Sequence, residues 1–177
     1  MIQATIQAEI SDKNEKLLET YPEKPANSLL KNFISMLGFH LQQGGSWTVK
    51  KTSGSVEILF PPDLKDFWFQ DGGTYGIRVG SGSTPVTMDN YTWTNLGSLT
   101  LGNHSFAVDS PASNIFRLRV SRTISNPTGS PIQVNEVCWI PQMWHQASNL
   151  MIDRTLYSVS IPGLGSTTIT YRIWITL

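Results

Sequence analysis

A single cysteine, Cys138, stands in this sequence, so no disulfide framework can form within the chain. Charge is scarce as well. Asp, Glu, Lys and Arg make up 15% of the residues, against about 25% in an average soluble domain. The 13 acidic and 13 basic residues cancel, leaving no field of one sign to draw the protein onto nucleic acid or an anionic membrane. No apolar run approaches the ~18–20 residues that span a bilayer as a helix. The opening MIQATIQAEISD has neither the basic nor the apolar region of a signal peptide. These absences lead to the expectation of a soluble protein made in a reducing cytoplasm, with no nucleic-acid or membrane partner. Near-zero net charge also lowers the electrostatic barrier to self-association.

What is present points to strands. The 177 residues are 40% hydrophobic and rich in Ser, Thr, Asn and Gln, a bias that favours strands and turns. Ala4, Ile6, Ala8 and Ile10 alternate with polar residues over 3–11, the pattern of a half-buried strand. Asp12 to Glu15 reads as a polar turn, with 16–21 returning as a second strand. After Pro22 and Pro25 comes one helical stripe, Leu29, Leu30, Phe33, Ile34 and Leu37, which predicts a short helix at about 27–40 capped by Asn27 or Ser28. From residue 46 onward short strands alternate with turn residues. Trp47–Lys51 and Ser55–Phe60 flank Thr52-Ser53-Gly54 as a hairpin. Further strands are expected at 75–80, 98–101, 105–109, 115–125, 132–140, 150–157 and 167–177. The fold class expected is mainly β, an antiparallel β-sandwich or jelly-roll-like barrel with one short N-terminal helix. It would be one domain over 1–177, with an N-terminal strand or hairpin arm at 1–24 and the sandwich at 46–177.

The stretch FRLRVSRTISNPTGSPIQVNEVCWI suggests a second hairpin, turning at Asn126 to Pro131. Centred near Gly129, it would set Ile124 against Val134, Arg122 against Glu136, Val120 against Cys138 and Leu118 against Ile140. The two charges that interrupt the apolar faces would then meet. A lone charge on a core face costs several kcal/mol, so a register-fixing ion pair of Arg122 and Glu136 is favoured over a catalytic Glu with an Arg partner. Catalysis by a carboxylate usually needs a second acid or base, and none stands at recognisable spacing.

Other chemistry is missing from the pattern. His40, His104 and His145 are scattered without metal-ligand spacing. Gly76 to Pro85 superficially resembles a phosphate loop but lacks the Gly-Lys-Ser/Thr and the following helix, so Gly80 and Gly82 are read as sites of positive φ or a bulge. Cys138 lies mid-strand on an apolar face, a poor position for a nucleophile. No catalytic residue, cofactor site or metal site is expected, and the chain is read as not an enzyme. Six Trp leave sugar binding open, since aromatic-rich β-sandwiches bind glycans. Trp139 points away from the Glu136 face. Trp174 shares its face with Thr170, Arg172 and Thr176. Both are candidate interface residues, with cover by the N-terminal helix the alternative for a Trp among polar neighbours.

Four segments in order carry a resemblance: Pro25 to Phe33, then TYGIRVGSGSTPVTMDNYTW, RTISNPTGSPIQVNEV and LMIDRTLYSVSIPGLGSTTITYRI. Together they resemble small structural proteins of tailed bacteriophages. Two departures stand out: Val137-Cys138 follow Glu136 where Gly is usual, and Ile161-Pro162-Gly163 replaces Val-Pro-x-Gly. The resemblance implies a protein of the virion, first of all a head decoration or cement protein. A tail, neck or baseplate component, or a glycan- or receptor-binding sandwich in a tail appendage, is the alternative. Its partners would be major capsid or tail subunits and further copies of itself, trimers being common in decorating proteins of this kind.

Overall fold

The computed structural model describes residues 2–26, 47–59, 67–68, 75–87, 92–143 and 150–176. The described chain is mainly β, with antiparallel sheets and no helix. The helix expected at 27–40 lies outside the described residues. Two compact units are present. The first comprises Met1–Asn27, Leu96–Val134 and Ser158–Leu177, the second Ser28–Asn95 and Asn135–Tyr157.

In the first unit, strands β1 (Ile2–Ser11), β2 (Leu17–Thr20) and β3 (Lys24–Pro25) are joined in one sheet by three strands from later in the chain. We number those β8 (Thr100–Ala112), β9 (Ile115–Ser125) and β13 (Ser166–Thr176), and the order is β2-β1-β13-β9-β8 with β3 also on β1. The expected N-terminal arm is therefore an internal strand, paired with β13 from Ile2↔Ile175 to Ser11↔Ser166. Its alternation explains why: Ile6, Ala8 and Ile10 lie in rows with Tyr171, Ile169 and Thr167, and these continue onto Val120, Arg122 and Ile124 of β9. All nine of these residues are buried. Each buried Ile or Val in these rows contributes roughly 1.5–3 kcal/mol. The opposite face is polar, with Ser121 bonded to Thr170 and Thr123 to Thr168 across the strands.

Local chemistry shapes the connections. Asp12 Oδ1 accepts from the backbone N–H groups of Asn14 and Lys16 and closes the expected polar turn, in which Glu15 adopts φ 62°. The expected strands at 98–101 and 105–109 are one strand, β8, bulged between Leu101 and His104 and again between Asp109 and Ala112. Each bulge adds one residue to β8, and Pro111, which has no N–H to give a ladder, falls in the second.

The second unit holds β4 (Trp47–Lys50), β5 (Val56–Leu59), β6 (Phe67–Trp68), β7 (Gly76–Gly80) and β11 (Gln142–Met143). Strands β10 (Ile132–Ile140) and β12 (Asp153–Ile161) pass from one unit into the other, and the order β12-β10-β7 makes a three-stranded sheet. The β4–β5 hairpin is as expected, turning through Gly54 at φ 87°. Cys138, Ile140 and Met151 form an apolar cluster against which Val86 and Trp93 pack.

The expected β9–β10 hairpin does not form. Strand β9 has β13 on one side and β8 on the other, so neither edge is open to β10, which pairs with β7 and β12 instead. The two strands joined by 126–131 enter different sheets.

Candidate functional site

Glu136 is fully buried on β10, opposite Gly80 of β7. Its Oε1 accepts from the backbone N–H of Gly82 at 3.0 Å and of Thr94 at 2.7 Å. Its Oε2 accepts from Arg154 Nε at 2.6 Å. Arg154, 3% exposed, also donates to Thr84, reaching the carbonyl through Nη1 and the hydroxyl through Nη2, each at 3.2 Å. The carboxylate therefore ties β10 to β12 through Arg154 and to the backbone at Gly82 and Thr94 at once. Neutralised by Arg154 and surrounded by donors, it meets the conditions under which a buried charge is tolerated. The expected ion pair with Arg122 is not made. Arg122 instead sends Nε to the Gly102 carbonyl at 2.8 Å, within the six-stranded sheet.

The glycines of the loop follow from the carboxylate. A Cβ on Gly80 would stand 2.4 Å from Glu136 Oε1, and one on Gly82 2.5 Å from it. Among the described glycines only Gly54 and Gly76 have positive φ, so close approach, and not the backbone conformation expected, is what selects glycine at 80 and 82. Arg78 lies on the same strand, with its guanidinium 5.7 Å from the Trp93 ring centroid and Nη2 donating to Asn95 Oδ1 at 3.1 Å. Burial first, and then the carboxylates of Glu136 and Asp153, push the Cys138 thiol well above its usual range. It is thus kept protonated and unsuited to nucleophilic attack.

A second clasp belongs to the first unit. Asn126, 1% exposed, donates Nδ2 to the carbonyls of Ser130, Ile161 and Pro162 at 2.8, 3.2 and 3.1 Å. Its Oδ1 accepts from the N–H and hydroxyl of Thr128 at 3.0 and 2.7 Å. The loop after β9 is so locked onto the loop before β13, and Leu164 N–H adds a bond to the Thr128 carbonyl. A Cβ on Gly163 would fall 2.3 Å from the Gly129 carbonyl oxygen, which is why this contact needs glycine.

The two tryptophans part ways. Trp139 is 2% exposed and is interior, not interface, because β10 is a central strand covered on both faces at this point. Trp174 is half-buried on the polar face of the six-stranded sheet, with the Arg117 guanidinium 4.9 Å from its ring centroid. Arg117 also grips Asp109 through two hydrogen bonds of 2.7 and 2.6 Å, and Arg119 adds a contact at 3.3 Å. An open cleft of about 430 Å³ between the 11–15 turn and the 164–168 segment is lined mostly by hydroxyl and charged side chains. Its Asp12 is engaged in its own turn. Among the described residues no group of three or more His, Cys, Asp or Glu is placed to hold a metal ion.

Arg154, Asn126 and the Thr94 backbone were not singled out by sequence reasoning. A charge inside the apolar alternation of LMIDRTLYSVSI was the available signal for Arg154. For Asn126 there was only its place at a turn. Compared with protein-family models, curated proteins and solved structures, the chain matches none.

Proposed function

We propose that this chain is a non-enzymatic structural protein of a tailed-phage virion, built as a β-sandwich or jelly roll and acting as an oligomeric head decoration protein. The observation that carries the reading is where the motif residues go. Gly80, Gly82 and Glu136 clasp one loop, and Asn126, Thr128 and Gly163 clasp another, so the segments that resemble the phage proteins serve to hold backbone in place. A catalytic site would leave such groups facing a cleft; a building block engages them internally. Low charge, zero net charge and many hydroxyl side chains suit a protein that packs against capsid subunits and copies of itself.

Quantitative mass spectrometry of purified particles tests this. Hundreds of copies per particle are expected for a decoration protein. A handful would move the chain to the tail, neck or baseplate, and absence from particles would overturn the virion reading.

A further inference from the structure

We propose that β8 is a self-association edge, at which two copies of this chain pair their β8 strands antiparallel about a twofold axis at Ala107. On the inner face of the six-stranded sheet, apolar side chains that are buried at its centre give way to exposed ones toward β8 and toward the Ile175 end. The row Ile6, Tyr171 and Val120 is buried, yet it ends at Phe106, 43% exposed. The next row runs from Ala4 through Ile173 and Leu118 to Val108, 74% exposed, and beyond it Phe116 and Ile175 are 45% and 42% exposed. On usual side-chain areas these four exposed residues leave on the order of 300–400 Å² of apolar surface open, the size at which a patch on a monomer tends to be functional. That is nearly half of the ~800 Å² per partner in a standard interface.

The shape of the open surface calls for a strand. β8 ends the sheet, and among the described residues no strand pairs with its outer side. Between its two bulges the run His104 to Asp109 is regular. Natural sheet edges are guarded by Lys, Pro or an interrupting bulge. This run has no Lys and no Pro, and the bulges bracket it without breaking it. Asp109, the one carboxylate on β8, is held by Arg117 and Arg119 of β9 and does not project as a guard.

A second copy is the occupant this strand fits. Pairing about Ala107 sets Phe106 opposite Val108 of the second copy, an aromatic against a β-branched side chain, which is a favourable cross-strand pair. Asp109 falls opposite Ser105 and not opposite itself, so no like charges meet. Zero net charge on each copy leaves the approach unopposed. The inference deepens the assembly reading and rests on it only for the expectation that copies associate.

Sedimentation velocity of the full chain across the micromolar range is the test. A concentration-dependent dimer is expected, and Val108→Lys, at an exposed position, should weaken it by about tenfold or more while leaving the circular dichroism unchanged. Ala107→Cys should form a covalent dimer under mild oxidation, because residues on the axis face each other at close range, whereas Cys138 is buried. A monomer at all concentrations would overturn the inference. So would a dimer or trimer that ignores Val108→Lys and fails to crosslink through Ala107→Cys. Absence from particles would defeat the virion reading while leaving the dimer intact, so the two failures are distinguishable.

Discussion

At Glu136 a carboxylate gathers N–H donors; at Asn126 a carboxamide gathers carbonyls. Both side chains are buried, both clasp loops through backbone groups, and both clasps include a glycine where a Cβ would collide. The chemistry differs because the loops present different groups. Around Glu136 the N–H of Gly82 and of Thr94 point inward, so only an acceptor serves, and the resulting buried charge is matched by Arg154. The 126–131 and 161–165 loops turn three carbonyls inward, so a donor is required, and the amide supplies it without a charge. The polarity of the inward-facing backbone thus selects the clasping side chain.

Breaking the charged clasp should have the largest effect. Glu136→Ala takes the carboxylate away from the buried Arg154 guanidinium and the acceptor away from the N–H groups of Gly82 and Thr94, and a stability loss of about 3–5 kcal/mol is expected from urea unfolding. An unchanged midpoint would show that the pair is not structural. The neutral clasp should fail next. Asn126→Asp keeps the acceptor for Thr128 but sets a carboxylate against three carbonyls, and a loss of about 2–3 kcal/mol is expected, larger than that of Asn126→Ala. If the two variants lose the same amount, the donor side of the amide is not what matters.

The smallest effect belongs to the half-buried Asp109–Arg117 pair on the sheet, which tests whether full burial makes the difference. The bidentate hydrogen bond from Arg117 holds the Asp109 carboxyl below its ordinary value. The carboxyl is depressed in the folded state, so its contribution is present above the ordinary carboxylate range and is lost as pH falls through the lowered value. Asp109→Asn should flatten the acid limb of the thermal midpoint against pH slightly, and an acid limb unchanged from wild type would remove the pair from the account.

Local features were legible in the residues. The alternation of Ala4, Ile6, Ala8 and Ile10 marks β1, Asp12 to Glu15 marks its turn, and Thr52-Ser53-Gly54 marks the β4–β5 hairpin, because side-chain period and turn chemistry act over a few positions. The Arg122 and Glu136 pairing failed on a longer scale. It assumed that strands adjacent in sequence are adjacent in a sheet, yet β9 is claimed on both sides by β8 and β13. Trp139 failed for a related reason: alternation identifies a solvent face only when one face is solvated, and β10 here has none.

The sequence by itself determined that the chain is mainly β, where most of its strands run, and that Glu136 is a charge in an apolar setting. Those properties reside in periods of two residues and in single turns. Only the tertiary structure decided that the partner of Glu136 is Arg154, that Gly80 and Gly82 make room for its carboxylate, and that the apolar face of the six-stranded sheet runs on past its cover at β8. Each of these depends on which distant strands take up which edges, and hydrogen-bonding groups along a strand are alike whatever the side chains. The choice among edges is therefore made by packing over the whole unit.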